Sequence, residues 1–498
     1  MAEGALDPVS AGRSSKAESL SVMRFANPLP QIKAVVLVDF GSTYTKLTAV
    51  EADTGRLLGT AQHPTTVDED VLVGFEAARD ALSHDLNDAV FIDELACSSA
   101  GGGLRLAVVG LEPELTAEAA RRAALNAGAR VVTVISLGLT SSNLADLVDA
   151  RPDIVLLVGG TDGGNASVLI ESARVLAVSP IDVPIVVAGN EQAQPAANRL
   201  LREAGKHVVL AANLMPEIGL IQETEVRERI RSIFIEHVIG GKHLSSRSAF
   251  AQMVLMPTPD AVLTATKLLA EGSGQEPGLG ELMVIDVGGA TTDVHSVVHA
   301  NRRTGFVPDL IGSTAARRTV EADLGLRWNA IGILEAAESE LGVPDVSRLR
   351  EAAERRVSDP HLIADSAAEM RADLQLAGYA MEIAIRRHAG RMTIELSPMG
   401  ATLRMTGRDL RAIPTVVLSG GIFQHAEPPD LVRLLPKMQG GGAILLPQEP
   451  RVAVDRSYIL AAAGLLATRD RSAALALMSQ EIRYLPYLKE GLPCSASN

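Results

Sequence analysis

Aromatic side chains are scarce in this chain: one Trp, five Tyr and eight Phe amount to 3% of its 498 residues. Its cores must therefore be built from Leu, Val, Ile and Ala, which suits parallel sheets covered by helices. Cysteine is rarer still. Cys97 and Cys494 form neither a CxxC pair nor a disulfide framework, a usage that fits a reducing cytoplasm, and two thiols cannot supply the ligands of an iron-sulfur cluster. No apolar stretch reaches the ~18 residues that span a bilayer; the strongest runs, such as Ile154 to Val158, have the length of a strand. Basic residues are outnumbered, 46 against 60 acidic ones, for a formal net charge of -14. That balance argues against a general nucleic-acid binder, whose footprint is basic. Also missing are HExxH, the Gly-x-Ser-x-Gly elbow, the P-loop and the dinucleotide fingerprint with its following acid, which sets aside zincins, α/β-hydrolases, P-loop ATPases and nicotinamide enzymes. Residues 1–30, rich in Ala, Ser, Gly and charge, lack the apolar core of a secretory signal and read as a disordered tail.

What is present is a pair of glycine-rich acidic turns, DFGSTYTK at Asp39 to Lys46 and DVGGATTD at Asp286 to Asp293. Each follows an apolar run, Val35 to Val38 in one and Leu282, Val284 and Ile285 in the other, which reads as a buried strand delivering an aspartate to its carboxyl end. Gly41, and Gly288 with Gly289, let the backbone approach phosphate oxygens. Ser42, Thr43, Thr45, Thr291 and Thr292 offer hydroxyl donors, and Asp39 and Asp286 can orient a hydrated magnesium ion. Two such turns facing each other would clamp a nucleoside polyphosphate. For Lys46 two readings stand: a cation reaching the β- or γ-phosphate, or a solvated strand lysine. A third apolar strand, Val416 to Leu418, ends in Ser419-Gly420-Gly421, bare enough for a purine or ribose to lie against the backbone. Asp455 is expected to begin a helix of small residues, Ala461 to Gly464, and a similar helix runs from Pro259 to Leu269; both suit close helix packing.

This order of elements resembles the actin, sugar kinase and heat-shock ATPase superfamily, over roughly residues 32–90 and 245–470. Within it the chain is similar to the glutamate mutase accessory proteins of the MutL or GlmL type, on the segments VDFGSTYTK, VGGTDGGN (Val158 to Asn165), MPTPDAV (Met256 to Val262) and IDVGGATTDVHSV. The resemblance implies an α/β fold: a two-lobed actin-like ATPase of duplicated ribonuclease-H-like domains with an inserted parallel α/β domain. The expected segments are lobe I from 31–95, the insertion from 96–244, a connecting helix region from 245–280, lobe II with a helical subdomain from 281–470, and a C-terminal tail from 471–498.

The insertion carries its own pattern. Strand-like runs near 131–135, 154–158, 185–188 and 208–211 alternate with helical stretches near 117–127, 141–149, 167–177 and 192–204, which predicts βαβ units and a parallel sheet. Its turn Gly159 to Asn165 sits at the carboxyl end of a strand, where open parallel sheets bind ligands, and reads equally as an anion-receiving turn or a strained strand-to-helix connection. Ser98 to Gly103 reads as a flexible loop. Residues 315–395 read as helical, with charged stretches Thr319 to Leu341 and Asp365 to His388 as solvated faces.

The resemblance also implies a role. Asp39 and Asp286 would bracket Mg2+, the two turns would hold the phosphates of ATP or ADP, Asp293 would orient water or metal, and Ser419, Gly420 and Gly421 would face the adenosine. Hydrolysis, as weak ATPase activity, would serve a cytoplasmic chaperone that opens an adenosylcobalamin-dependent mutase, glutamate mutase first among them, for exchange of damaged cofactor. The chain lacks an Asp-x-His-x-x-Gly cobalamin signature, so the partner is expected to hold the cobalamin. Neither nucleic acid nor membrane is an expected partner, and self-association into a homo-oligomer stays open. A small-molecule kinase and an actin-like filament protein use the same scaffold and are the alternatives.

Overall fold

The run Val35 to Val38 seeds a longer strand, β1 (Ile32–Phe40), because the residues flanking it continue the same buried pleat. The computed structural model describes residues 31–486 apart from 101–102, 240–243, 246, 300–314, 398–399, 428–429, 432–433 and 435–442; the expected N-terminal tail, Gly101, Gly102 and Cys494 lie outside the described residues. β1 turns back through β2 (Tyr44–Glu51) and β3 (Leu57–Pro64) as an antiparallel meander. After α1 (Val71–Asp85), β4 (Ala89–Ser98) pairs parallel with the other edge of β1.

The chain then leaves this sheet to build another. β5 (Arg105–Val109), α2 (Thr116–Asn126), β6 (Arg130–Ile135), α3 (Leu144–Asp149), β7 (Ile154–Leu157), α4 (Ser167–Val178), β8 (Ile185–Val187), α5 (Gln194–Glu203) and β9 (Val208–Leu210) alternate as their periodicity predicts. The strands are all parallel, in the order β6-β5-β7-β8-β9. Ile154 to Leu157 are fully buried at its centre, the reason that strand reads as an unbroken apolar run. α6 (Thr224–Ile233), a π-helical turn (Phe234–Ile239) and α7 (Ser248–Met253) lead back to the first sheet, where β10 (Val254–Pro257) pairs parallel with β4.

From there α8 (Thr258–Glu271) crosses to the second lobe. β11 (Leu282–Val287), β12 (Thr292–Val297) and β13 (Ala316–Glu321) form its meander. A helical subdomain follows, α9 (Ala330–Leu341), α10 (Ser347–Ser358) and α11 (Ala367–His388), and then a hairpin of β14 (Arg391–Ser397) and β15 (Gly400–Thr406). β16 (Thr415–Ser419), α12 (Gly421–His425), β17 (Arg451–Asp455), α13 (Leu460–Leu466), α14 (Arg471–Glu481) and β18 (Ile482–Tyr484) complete the lobe. The sheet orders β10-β4-β1-β2-β3 and β13-β12-β11-β16-β17-β18 are one arrangement built twice: a meander on one side of a central strand and two parallel strands on the other, with β18 appended in the second. A shared core including Leu37, Leu263, Val284 and Leu460 joins the lobes. Within it α8 and α13 come to backbone contact, since a Cβ at Gly464 would overlap the Ala261 carbonyl; the small residues seen in the sequence serve this crossing.

Four expectations are corrected. Ala316–Glu321 is a strand rather than the start of a charged helix, because pairing with β12 overrides its local charge pattern. Asp455 ends β17 instead of opening a helix, and its carboxylate accepts the N–H groups of Ile459 at 2.9 Å and Leu460 at 3.2 Å, capping α13 from outside. The charged helices are not wholly solvated: Arg356 and Asp373 are 0% and 2% exposed, joined at 2.6 Å, with Arg327 on the same carboxylate at 2.9 Å. Beyond residue 470, where a tail was expected, α14 and β18 continue the lobe.

Candidate functional site

The two glycine turns are the tips of two equivalent hairpins. In the first, Asp39 lies across from Lys46 in the β1/β2 register, and the Gly41 N–H donates to the Tyr44 carbonyl at 3.1 Å. In the second, Asp286 lies across from Asp293, and the Gly288 N–H donates to the Thr291 carbonyl at 2.9 Å. The tips meet: a Cβ at Gly289 would stand 2.9 Å from the Thr43 hydroxyl. The fold thus brings together turns separated by some 240 residues, as the sequence suggests. Ser42 sits half-buried at the first tip.

The carboxylates differ in what satisfies them. Asp39 Oδ1 accepts the Thr258 hydroxyl at 2.6 Å, with the Cys97 thiol at 3.7 Å; burial raises its pKa, opposed by Lys46. Asp286 receives only the Tyr458 hydroxyl, at 3.4 Å on Oδ2, and its buried Oδ1 has no hydrogen-bond partner among the described residues. Burial first, then the charges of Asp293, Asp39 and Asp455, push its carboxyl up to about 7. Asp293 is held by the Thr291 hydroxyl at 2.8 Å and by Arg318, whose Nη2 lies 2.6 Å from Oδ1. Lys46 is no solvated strand lysine: its ammonium lies over the Tyr458 ring, 3.1 Å from the centroid. Burial lowers its pKa while Asp39, Asp286 and Asp455 oppose that shift. The buried Thr43 hydroxyl also lacks a hydrogen-bond partner among the described residues.

The third motif lies alongside. Ser419 stands beside Asp286 in the β11/β16 register, and its hydroxyl donates to Asp455 at 3.1 Å. Gly420, at φ 126°, packs so closely on Val287 that a Cβ would overlap the carbonyl oxygen there. Beside Gly421 a Cβ would meet nothing within 4 Å among the described residues. The threonines divide in role. Thr45 is fully buried against Thr65 at 3.2 Å, and the Thr292 hydroxyl donates to the Leu324 carbonyl at 2.6 Å, so both hydroxyls brace their hairpins. Tyr458, with φ 52°, and Asp455, as a carboxylate facing Lys46, are site residues the sequence reading missed. The only local signal was an aspartate three residues before a tyrosine at a strand end. In the inserted domain the turn at Gly159 to Asn165 is tied down by its neighbours: Asp162 Oδ1 accepts from Glu191 N–H at 2.9 Å and Asn213 Nδ2 at 2.8 Å, and Gly163 N–H donates to Gln192 at 2.8 Å. The strand-to-helix connection is the role visible there.

The residues fit a divalent ion shared with phosphate. Asp39 and Asp286 converge from opposite lobes on the buried ammonium of Lys46, and Asp286 Oδ1 is an acceptor without a partner among the described residues. Among the described residues no group of three or more His, Cys, Asp or Glu could hold a metal, so an ion here would take its further ligands from water and phosphate, as magnesium commonly does. Nor does any helix among the described residues have the length and apolarity to cross a membrane.

Duplicated sheets with facing glycine hairpins define the class: this is a two-lobed actin-like ATPase fold with an inserted parallel domain. The chain belongs to the MutL protein family, whose profile matches residues 35–482. It is 38% identical over 455 residues to Protein MutL of Clostridium tetanomorphum, covering 90% of this chain and 98% of that protein. Among solved structures it resembles gluconate kinase from Lactobacillus acidophilus, at 12% identity and TM-score 0.34 over 91% of this chain and 92% of that one. A glycerol dehydratase reactivase is similar at 11% identity and TM-score 0.30, over 88% and 99%. Likenesses this distant carry nothing about what this chain binds or does.

Proposed function

We propose that this protein is an ATP-dependent reactivating chaperone for an adenosylcobalamin-dependent mutase, glutamate mutase first, working in the cytoplasm as a weak ATPase that promotes exchange of damaged for intact cobalamin. The observation that carries the nucleotide part is the buried Oδ1 of Asp286, without a partner among the described residues, in the cleft where the two hairpin tips meet. Family membership and the resemblance in its motifs support the partner. Mg2+ held by Asp39 and Asp286 would supply charge neutralisation to the phosphates of ATP or ADP. The turn amides from Gly41 to Thr43 and from Gly288 to Thr291 would cradle those phosphates, Lys46 would contribute a second cation, and Ser419 to Gly421 would line the adenosine side. Asp293, fixed by Arg318, would orient the attacking water. Phosphoryl transfer needs chiefly positioning and electrostatics, so no covalent nucleophile is required. Nucleotide state would bias the relative rotation of the two lobes about the α8/α13 crossing.

The test is to inactivate glutamate mutase with hydroxocobalamin and follow recovery of activity on adding this protein, adenosylcobalamin and ATP. Recovery that requires both the protein and ATP is the expected result. Tight ATP binding without recovery of any cobalamin mutase would overturn the chaperone reading, and phosphorylation of a small molecule or ATP-driven polymerisation would replace it.

A further inference from the structure

The two phosphate turns are each wired to the inserted body by a buried charged pair. On the second turn, Arg318 is 3% exposed on β13, the edge strand of its sheet. Its Nε donates to Asp293 Oδ1 at 2.8 Å, while Nη1 reaches away to the carbonyls of Leu125 at 2.9 Å and Ala129 at 3.1 Å, at the carboxyl end of α2. Asn126 completes this joint like a piece of strand. Its Oδ1 accepts the Arg318 backbone N–H at 3.0 Å, and its Nδ2 donates to Ala316 O at 3.3 Å and Glu223 at 2.9 Å. On the first turn, the helix that begins with Thr258, the donor to Asp39, carries the fully buried Asp260; Arg227 of α6 binds it at 2.8 Å and Arg231 at 2.9 Å. α2 and α6 are themselves joined through Asn126 and Glu223. Beside the α2/β13 joint lies a cavity of about 410 Å³ between Arg130 and Val134 of β6 and Arg317 and Val320 of β13, so the two strands are not packed against each other along this stretch.

We propose that Arg318 is a positioning residue that transmits the state of the second phosphate turn to the inserted domain, one edge of its guanidinium fixing Asp293 and the other gripping the end of α2. The proposal rests on the nucleotide reading above. A guanidinium suits the task because its planar fork serves two partners at fixed angles, which a lysine ammonium cannot do. Movement of Asp293 when phosphate occupies the turn must then be followed by α2 or break buried hydrogen bonds, each of which is costly to leave unmade.

The experiment is amide hydrogen exchange on the full chain, alone and with MgADP or MgATP, alongside a nucleotide titration. In the native protein MgATP should change exchange in residues 119–130 by at least about twofold, a modest coupling between sites. Asn126→Ala, outside the phosphate site, should bind MgATP within about twofold of native yet show a smaller response, because the bracing between α2 and β13 is cut while the Leu125 and Ala129 carbonyls still accept from Arg318. Arg318→Lys, which keeps a charge beside Asp293 but not the fork, should lose the response, and serves as the test if Asn126→Ala does not fold. A native chain that binds MgATP with no change at α2, or variants that keep the full response, would overturn the relay alone. A flat titration of the native chain would overturn the nucleotide reading, and the relay with it.

Discussion

The hairpins at Asp39 and Asp286 share turn closure and place in their sheets, with the last pairs Phe40/Thr45 and Val287/Thr292 spanning tips of equal length, but differ in the residue across from the aspartate, Lys46 in one and Asp293 in the other. In the first lobe the carboxylate is satisfied by Thr258 and faces an ammonium; in the second it faces another acid, whose charge is taken up by Arg318, and one of its oxygens has no partner among the described residues. Duplicated backbones thus carry unequal electrostatics. One hairpin carries a counter-charge across from its aspartate, and the other sets two carboxylates opposite each other.

Asp286→Asn puts the most weight on this contrast. It preserves shape and should lower Mg-nucleotide affinity or turnover by at least ~tenfold, the scale of a lost charge-assisted contact, while raising the melting temperature of the nucleotide-free protein at pH 8. Asp39→Asn should not raise it, because Lys46 then loses the counter-charge that acts on it most strongly. Equal thermal shifts for the two variants would erase the distinction between the hairpins.

Removing the cation is the next lever. Lys46→Met should destabilise the nucleotide-free protein by about 3 kcal/mol at pH 8, as buried charges lose a partner, and by less at pH 5, where Asp286, its carboxyl raised by burial to about 7, has taken up a proton. Denaturant titrations at the two pH values read this directly, and a pH-independent loss would mean that Lys46 acts only by packing.

The pH dependence of the native site has a defined sign. Asp286 titrates near 7 when folded against an ordinary value of 3.8, so between these values the folded protein holds a proton that the unfolded chain has released. Stability without nucleotide should therefore fall as pH rises through that window. Mg-nucleotide affinity, which needs the carboxylate, should rise several-fold from pH 6 to 8 and flatten in Asp286→Asn. Calorimetry at a series of pH values checks both slopes.

Tyr458→Phe should have the smallest effect, under about threefold on turnover, since its hydroxyl sits at the long end of hydrogen-bond range, 3.4 Å from Asp286, and the ring over Lys46 remains. A larger loss would make the phenol the principal partner of Asp286 and weaken the view of that carboxylate as open.

Much of this was legible in order along the chain. The strands before each glycine turn, the alternating insertion, and the small faces of α8 and α13 are written in local periodicity and residue size, which act over neighbours in sequence. They fixed the duplicated lobes, the parallel insertion and the candidate phosphate turns. Residue type alone could not tell which of Thr43 and Thr45 would have its hydroxyl taken by the fold: Thr45 points at Thr65, while Thr43 meets Gly289 from the other lobe. Nor could local charge patterns show that Arg318 joins Asp293 to α2, that Arg356 and Asp373 sit in a core, or that Ala316–Glu321 pairs as a strand. Those outcomes depend on burial and on partners up to 193 residues away, where the cost of an unpaired charge, rather than local propensity, selects the conformation.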